Sequence, residues 1–115
     1  MKRGDLFWAN LVPRSGSEQT GRRPVVVVSQ DGFNLTENWR SIIVVPISIS
    51  TRQSGRGPTT VPHPAGTGGL SQHSTAVCHQ VTTLDRAKFD GRIGTLPPEH
   101  LQAVDQALKA AMNLI

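Results

Sequence analysis

Apolar positions along this chain come in short bursts separated by polar, glycine- and proline-rich stretches, and they settle into a helical period only near the end. Residues 4–11 (GDLFWANL), closed by Pro13, read as a first strand. Pro24 and the valines Val25, Val26, Val27 and Val28 predict a central strand buried on both faces. The run is too short for an ordinary helix, and β-branched side chains favour a pleated surface. Pro24 would then take the strand's first position, where a missing N–H is tolerated. Residues 41–47 (SIIVVPI) predict a third strand, with Pro46 marking an edge or a bulge. Residues 59–63 and 75–81 predict two more strands, and residues 92–96 a last short strand or turn. Between them, Gly32, Asn34 and Asn38 limit residues 29–40 to a turn or a single helical turn. Leu101, Val104, Leu108, Met112 and Ile115, with Ala107 and Ala111, form an apolar stripe at helical spacing. Pro97, Pro98 and Glu99 suit that helix's start, and Asp105 and Lys109 form an i,i+4 pair on its exposed side.

Several short strands and one terminal helix predict an α+β domain, a small bent antiparallel sheet or partial barrel, and the length of 115 residues predicts one domain over 1–115. Two connections stand out. Residues 12–23 are too many for a tight hairpin and lead through Gly16, Ser17, Glu18, Gln19, Thr20 and Gly21 into Arg22 and Arg23 at the rim of the valine strand. Residues 50–58 (STRQSGRGP) carry Arg52 and Arg56 and read either as a lid or as a solvated loop.

Charge sharpens this picture. The net charge is +4, with nine arginines to three lysines, and guanidinium forks match phosphate geometry, so a nucleic-acid backbone is a fitting partner. The apolar fraction of 37% points to association with another chain to complete hydrophobic burial. Cys78, the sole cysteine, reads as a buried small hydrophobe. No apolar run approaches membrane-spanning length, which predicts a cytoplasmic protein.

GSEQ at residues 16–19, a short gap, and RPV at residues 23–25 resemble the signature of the MazF/PemK family of toxin endoribonucleases. The resemblance extends along nearly the whole chain, through RGDLFWANL (3–11), VVPIS (44–48), HQVTTLDR (79–86) and the terminal helix. It implies a CcdB/PemK-type toxin fold, an SH3-like barrel with a C-terminal helix. It also implies an endoribonuclease that works as a homodimer and is silenced by an antitoxin with an acidic, disordered tail. Gyrase poisons of the CcdB type share that architecture and act without catalysis, which is the alternative reading.

Which chemistry do the residues allow? His63, His73, His79 and His100 lack zinc spacing, no compact Asp/Glu cluster suits magnesium, and no G-x-S-x-G turn is present, so no metal or cofactor is expected. What remains is a Ser/Thr, Glu/Gln and Arg set. Such a set suits cleavage of single-stranded RNA by its own 2'-hydroxyl, giving 2',3'-cyclic phosphate and 5'-hydroxyl ends, and spares DNA.

By resemblance, Arg23 matches the family's catalytic arginine, Glu18 the acid of GSEQ, and Gln80 a glutamine on a later strand, while Ser48 stands where the family usually has threonine. Arg23 would clamp the phosphate and Ser48 would hydrogen-bond a non-bridging oxygen. Two jobs stay open for Glu18, that of base and that of orienting Arg23. Arg14, Ser17, Gln19, Arg52, Gln80 and Arg86 are the candidates for RNA contact. Serine at 48 lacks the methyl that stiffens threonine, and Thr82 stands where many relatives are basic, which leaves the recognised RNA sequence open.

Overall fold

The computed structural model describes residues 1–11, 16–49 and 57–114. Among the described residues there are seven strands: β1 (Asp5–Asn10), β2 (Arg22–Val27), β3 (Ser41–Ser48), β4 (Thr60–His63), β5 (Ser74–Val77), β6 (Thr82–Asp85) and β7 (Phe89–Thr95). Two helices accompany them, α1 (Asp31–Asn34) and α2 (Pro98–Met112). All pairings are antiparallel, in the order β4-β5-β3-β2-β1-β7, with β6 also on β3. The barrel is not closed, because β4 and β7 remain the two ends of this hydrogen-bonded path.

The valine run is buried on both faces, as its unbroken hydrophobicity predicts. Val26 joins Leu6, Val45, Ile47, Val104 and Leu108 in the core beneath α2. Val25 and Val27 point the other way and join Ala9, Leu11, Ile42, Val44 and Leu84. The strand itself starts earlier than expected, at Arg22, so that Pro24 lies inside it opposite Trp8. This matters for the site, because Arg22 and Arg23 are fixed by a ladder.

Pro46 also sits inside a strand. One side of β3 pairs with β2 throughout this region, and the other passes from β6, ending at Val44↔Thr82, to β5, starting at Ile47↔Ala76. The handover falls at Val45 and Pro46, where a residue without an N–H costs the outer ladder nothing. The strand expected over 75–81 stops at Val77, and a 3-10 turn over Cys78–Gln80 leads into β6, which the irregular TTLD sequence had concealed.

Two close approaches shape the turn after β4. A Cβ on Gly94 would lie 2.0 Å from the Gly68 carbonyl oxygen. Gly68 itself has φ +59, and a Cβ there would meet Leu6 Cδ1 at 2.7 Å and the Thr95 oxygen at 2.9 Å. The two backbones touch only because both residues are glycine.

Helix α2 buries Val104, Ala107 and Leu108, while Met112 remains 49% exposed and Leu114, just beyond, 58%. Asp105 takes Arg3 as a bidentate partner, and Arg3 Nε donates to the Val28 carbonyl at 3.0 Å. The helix is thereby tied to the end of the valine strand by an ion pair that the Asp105–Lys109 spacing did not foretell. At its first turn, His100 Nδ1 meets Nδ1 of the fully buried His63 at 2.8 Å. Burial, with the charges of His100 and His73, pushes the His63 pKa down to about 4.

Candidate active site

The register of β2 against β3 builds the site. Val25 pairs with Pro46, so two residues further along each strand bring Arg23 and Ser48 to neighbouring positions on the same face. Ser48 is buried and continues into the pairing with Thr75 of β5. Arg23 Nε donates to the Thr20 carbonyl at 2.9 Å, which fixes the stem of the guanidinium against its own loop. Its two terminal nitrogens have no partner among the described residues. A fixed fork with open donors is suited to an oxyanion.

Glu18 lies in the same loop, and the loop is held from a distance. Gln80 donates through Nε2 to the Ser17 carbonyl at 2.9 Å and accepts through Oε1 from the Gln19 N–H at 2.7 Å. One side-chain amide therefore grips the backbone on both sides of Glu18. Gln80 is rigid in turn because Cys78, two residues earlier, is buried, with its N–H bonded to the Thr59 carbonyl. Its thiol packs toward the Val104 carbonyl of α2, and burial with the nearby Asp105 charge pushes its pKa up to about 12. The thiol is inert, and its task is packing.

Of the residues singled out in the sequence, Arg23 and Ser48 thus share one face, with Glu18, Ser17 and Gln19 on the loop that reaches it and Gln80 beneath. Arg86 is elsewhere. Its guanidinium donates to the carbonyls of Phe33, Asn34, Thr36 and Trp39, bracing the end of α1 and the segment after it. That fork is occupied by the chain itself. Arg14 and Arg52 lie outside the described residues. Phe33 and Trp39 stack on each other at 4.4 Å, neither in the core.

Sequence reasoning passed over a cleft of about 440 Å³ that begins at Arg23. Trp8 and Arg22 line it, with the Arg22 guanidinium 4.4 Å from the Trp8 ring centre and its Nε 3.0 Å from Asp90 Oδ2. The far wall is the segment after the glycine turn, from Gly69 to Gln72. The register of Trp8 against Pro24 was the hidden signal, since alternation along β1 and β2 puts Trp8, Arg22 and Pro24 on one face.

An open antiparallel sheet with a single packed terminal helix is the architecture of the MazF toxins. The crystal structure of MazF (Form-I) from Deinococcus radiodurans superposes with a TM-score of 0.80 at 24% identity, covering 98% of this chain and 96% of that one. An endoribonuclease in complex with its cognate antitoxin from a mycobacterial species gives a TM-score of 0.80 at 18% identity, covering 100% and 97%. In sequence, Endoribonuclease EndoA of Bacillus subtilis (strain 168) is 33% identical over 115 residues, spanning 100% of this chain and 97% of the relative. The family model of PemK-like, MazF-like toxins of type II toxin-antitoxin systems matches residues 2–112, and the chain belongs to that family.

Proposed function

We infer that this MazF-type toxin endoribonuclease cuts single-stranded RNA at selected sequences without a metal ion, using the substrate's own 2'-hydroxyl as nucleophile. The observation that carries the reading is the β2–β3 register, which continued two residues past Val25↔Pro46 sets Arg23, its guanidinium stem fixed to Thr20, and Ser48 on one sheet face. The scissile phosphate sits against the open end of the Arg23 fork. Ser48 donates to a non-bridging oxygen, and together they stabilise the charge that grows as phosphorus becomes five-coordinate. The 2'-oxygen bonds to phosphorus as the bond to the 5'-oxygen breaks. Glu18 takes the 2'-hydroxyl proton, and the departing 5'-oxygen, hydrogen-bonded by Arg23, takes up a proton from solvent. A 2',3'-cyclic phosphate and a 5'-hydroxyl result.

Arg23 serves as a cation throughout, since guanidinium does not deprotonate in proteins. Gln80 holds the Glu18 loop, and Ser17 and Gln19 meet the nucleotides on either side, joined by Arg14 and Arg52. Arg86, engaged with four carbonyls, is left as a strut. The protein acts in the cytoplasm as a homodimer. The second copy covers the apolar surface of Val28, Ile43, Val81, Leu108 and Met112. An antitoxin with an acidic, disordered tail silences it, in keeping with the net charge of +4 and with the relative solved in complex with its cognate antitoxin.

A long end-labelled RNA incubated with the protein and excess chelator tests the chemistry. Discrete cuts with cyclic-phosphate ends, and an untouched DNA of the same sequence, are the expected result. Linear 3'-phosphate or 3'-hydroxyl ends at the earliest times, or cutting abolished by chelator, would refute it.

A further inference from the structure

We propose that the cleft between Trp8, Arg22 and Gln72 is a nucleobase pocket that takes the base next to the cut, and that Gln72 reads that base's edge. The inference rests on the ribonuclease reading and extends it to residues outside the reacting set.

Position comes first. Arg22 and Arg23 are neighbours on β2 whose side chains alternate, Arg22 on the cleft face and Arg23 on the Ser48 face, and Arg23 also borders the cleft, so an RNA strand held at Arg23 passes the cleft's opening at the rim of β2. Charge agrees, because the lining carries two arginines and no acid, which favours an anionic ligand such as a nucleotide over a cationic or neutral one. The interior is apolar, with Ile47, Leu70 and Trp8, and Ile49 at the mouth is 48% exposed. A volume of about 440 Å³ is in the range of small-molecule sites.

Arg22 supplies a flat platform. Its guanidinium lies against Trp8 on one side and is paired with Asp90 at 3.0 Å, while its side chain is still 54% exposed. Bases stack on guanidinium planes as they do on aromatic rings. The opposite wall is rigid. The Gly68–Gly94 contact locks the turn, Gly66 N–H donates to the Leu70 carbonyl at 2.6 Å, and Ser74 Oγ donates to the Gln72 carbonyl at 2.8 Å. Those bonds fix the Gln72 backbone, while its exposed side-chain amide has no partner among the described residues. An amide carried on a fixed backbone, with a donor and an acceptor side still open, is the equipment for reading a base edge.

The test uses the full-length wild type, Gln72→Leu, which keeps the volume and removes the amide, and Ile49→Trp, which fills the mouth. Each is incubated with a pool of RNAs randomised around a cut site, and the cut products are sequenced, with melting curves verifying the fold. Gln72→Leu should flatten the preference between best and worst base at one position beside the cut by about tenfold. Ile49→Trp should raise KM for RNA and disfavour purines at that same position. An unchanged base preference in both variants, with wild-type cutting intact, would overturn the pocket and leave the ribonuclease reading standing. If the substitutions instead weaken only antitoxin binding, the cleft is a protein-docking site and the proposal is wrong. Should the wild type cut no RNA at all, both readings fail together.

Discussion

Gln80 illustrates how much a single side chain can govern from a distance. Its amide bonds flank Glu18 while the residue itself is more than sixty positions away in the chain. Gln80→Glu keeps the acceptor for Gln19 and loses the donor for Ser17, placing a negative charge against a carbonyl oxygen. The expected outcome is a fall in kcat of about tenfold, the equivalent of one net hydrogen bond, with a melting temperature within a few degrees of wild type. Steady-state cleavage kinetics beside a thermal melt will check it, and an unchanged kcat would show that the grip on the loop is idle. Of the candidate site, Arg23, Ser48 and Glu18 were singled out in the sequence, because short stretches resembling the family's motifs carry them. The supporting job of Gln80 could not, since nothing local in HQV reports that its partners lie at 17 and 19. Arg86 was misleading for the related reason that a basic residue looks the same in sequence whether its fork meets phosphate or carbonyls.

Among the elements, the valine strand and helix α2 were legible because each repeats one simple rule, continuous apolarity for burial on two faces and a three-to-four spacing for burial on one. Strand β6 was not, since TTLD buries only Leu84 fully and its pairing to β3 is a tertiary choice. The junction of β4 with α2 carries a consequence for pH. His63 is fully buried, its Nε2 has no hydrogen-bond partner among the described residues, and it faces His100 of α2 and His73 of the connection between β4 and β5. Its folded pKa of about 4 lies below the ordinary 6.5, so between those values the unfolded chain binds more protons than the folded one. Stability therefore rises with pH across that window, and about 3 kcal/mol is lost as pH falls from 6.5 to 4. Urea unfolding at a series of pH values should show this slope, and His63→Leu should flatten it. An equal slope in wild type and variant would assign the acid sensitivity to other groups.

For the molecule as a whole, the two cores, the open sheet and the helix converge on one end, where β2, β3 and the Gln80 turn meet. The other notable surface is apolar. Met112 and Leu114 are exposed at the end of α2, and Ile43 is 37% exposed on the neighbouring strand. A monomer gains nothing from this arrangement, and in the proposed homodimer a second copy buries it. Sedimentation at micromolar concentration should give twice the 12.4 kDa chain mass for the wild type and the single mass for Met112→Asp. Equal single masses for both would remove the dimer from the account.

The central claim is that Arg23 and Ser48, brought together by the β2–β3 register, are where the phosphate reacts. Single-turnover cleavage and equilibrium binding of one RNA, measured side by side for wild type and Arg23→Ala, address it most directly. Removal of transition-state charge stabilisation should slow cleavage by about a hundred- to a thousandfold. RNA binding should weaken by no more than about tenfold, the scale of one phosphate contact. Cleavage at the wild-type rate, or a loss of rate fully accounted for by lost binding, would contradict the claim.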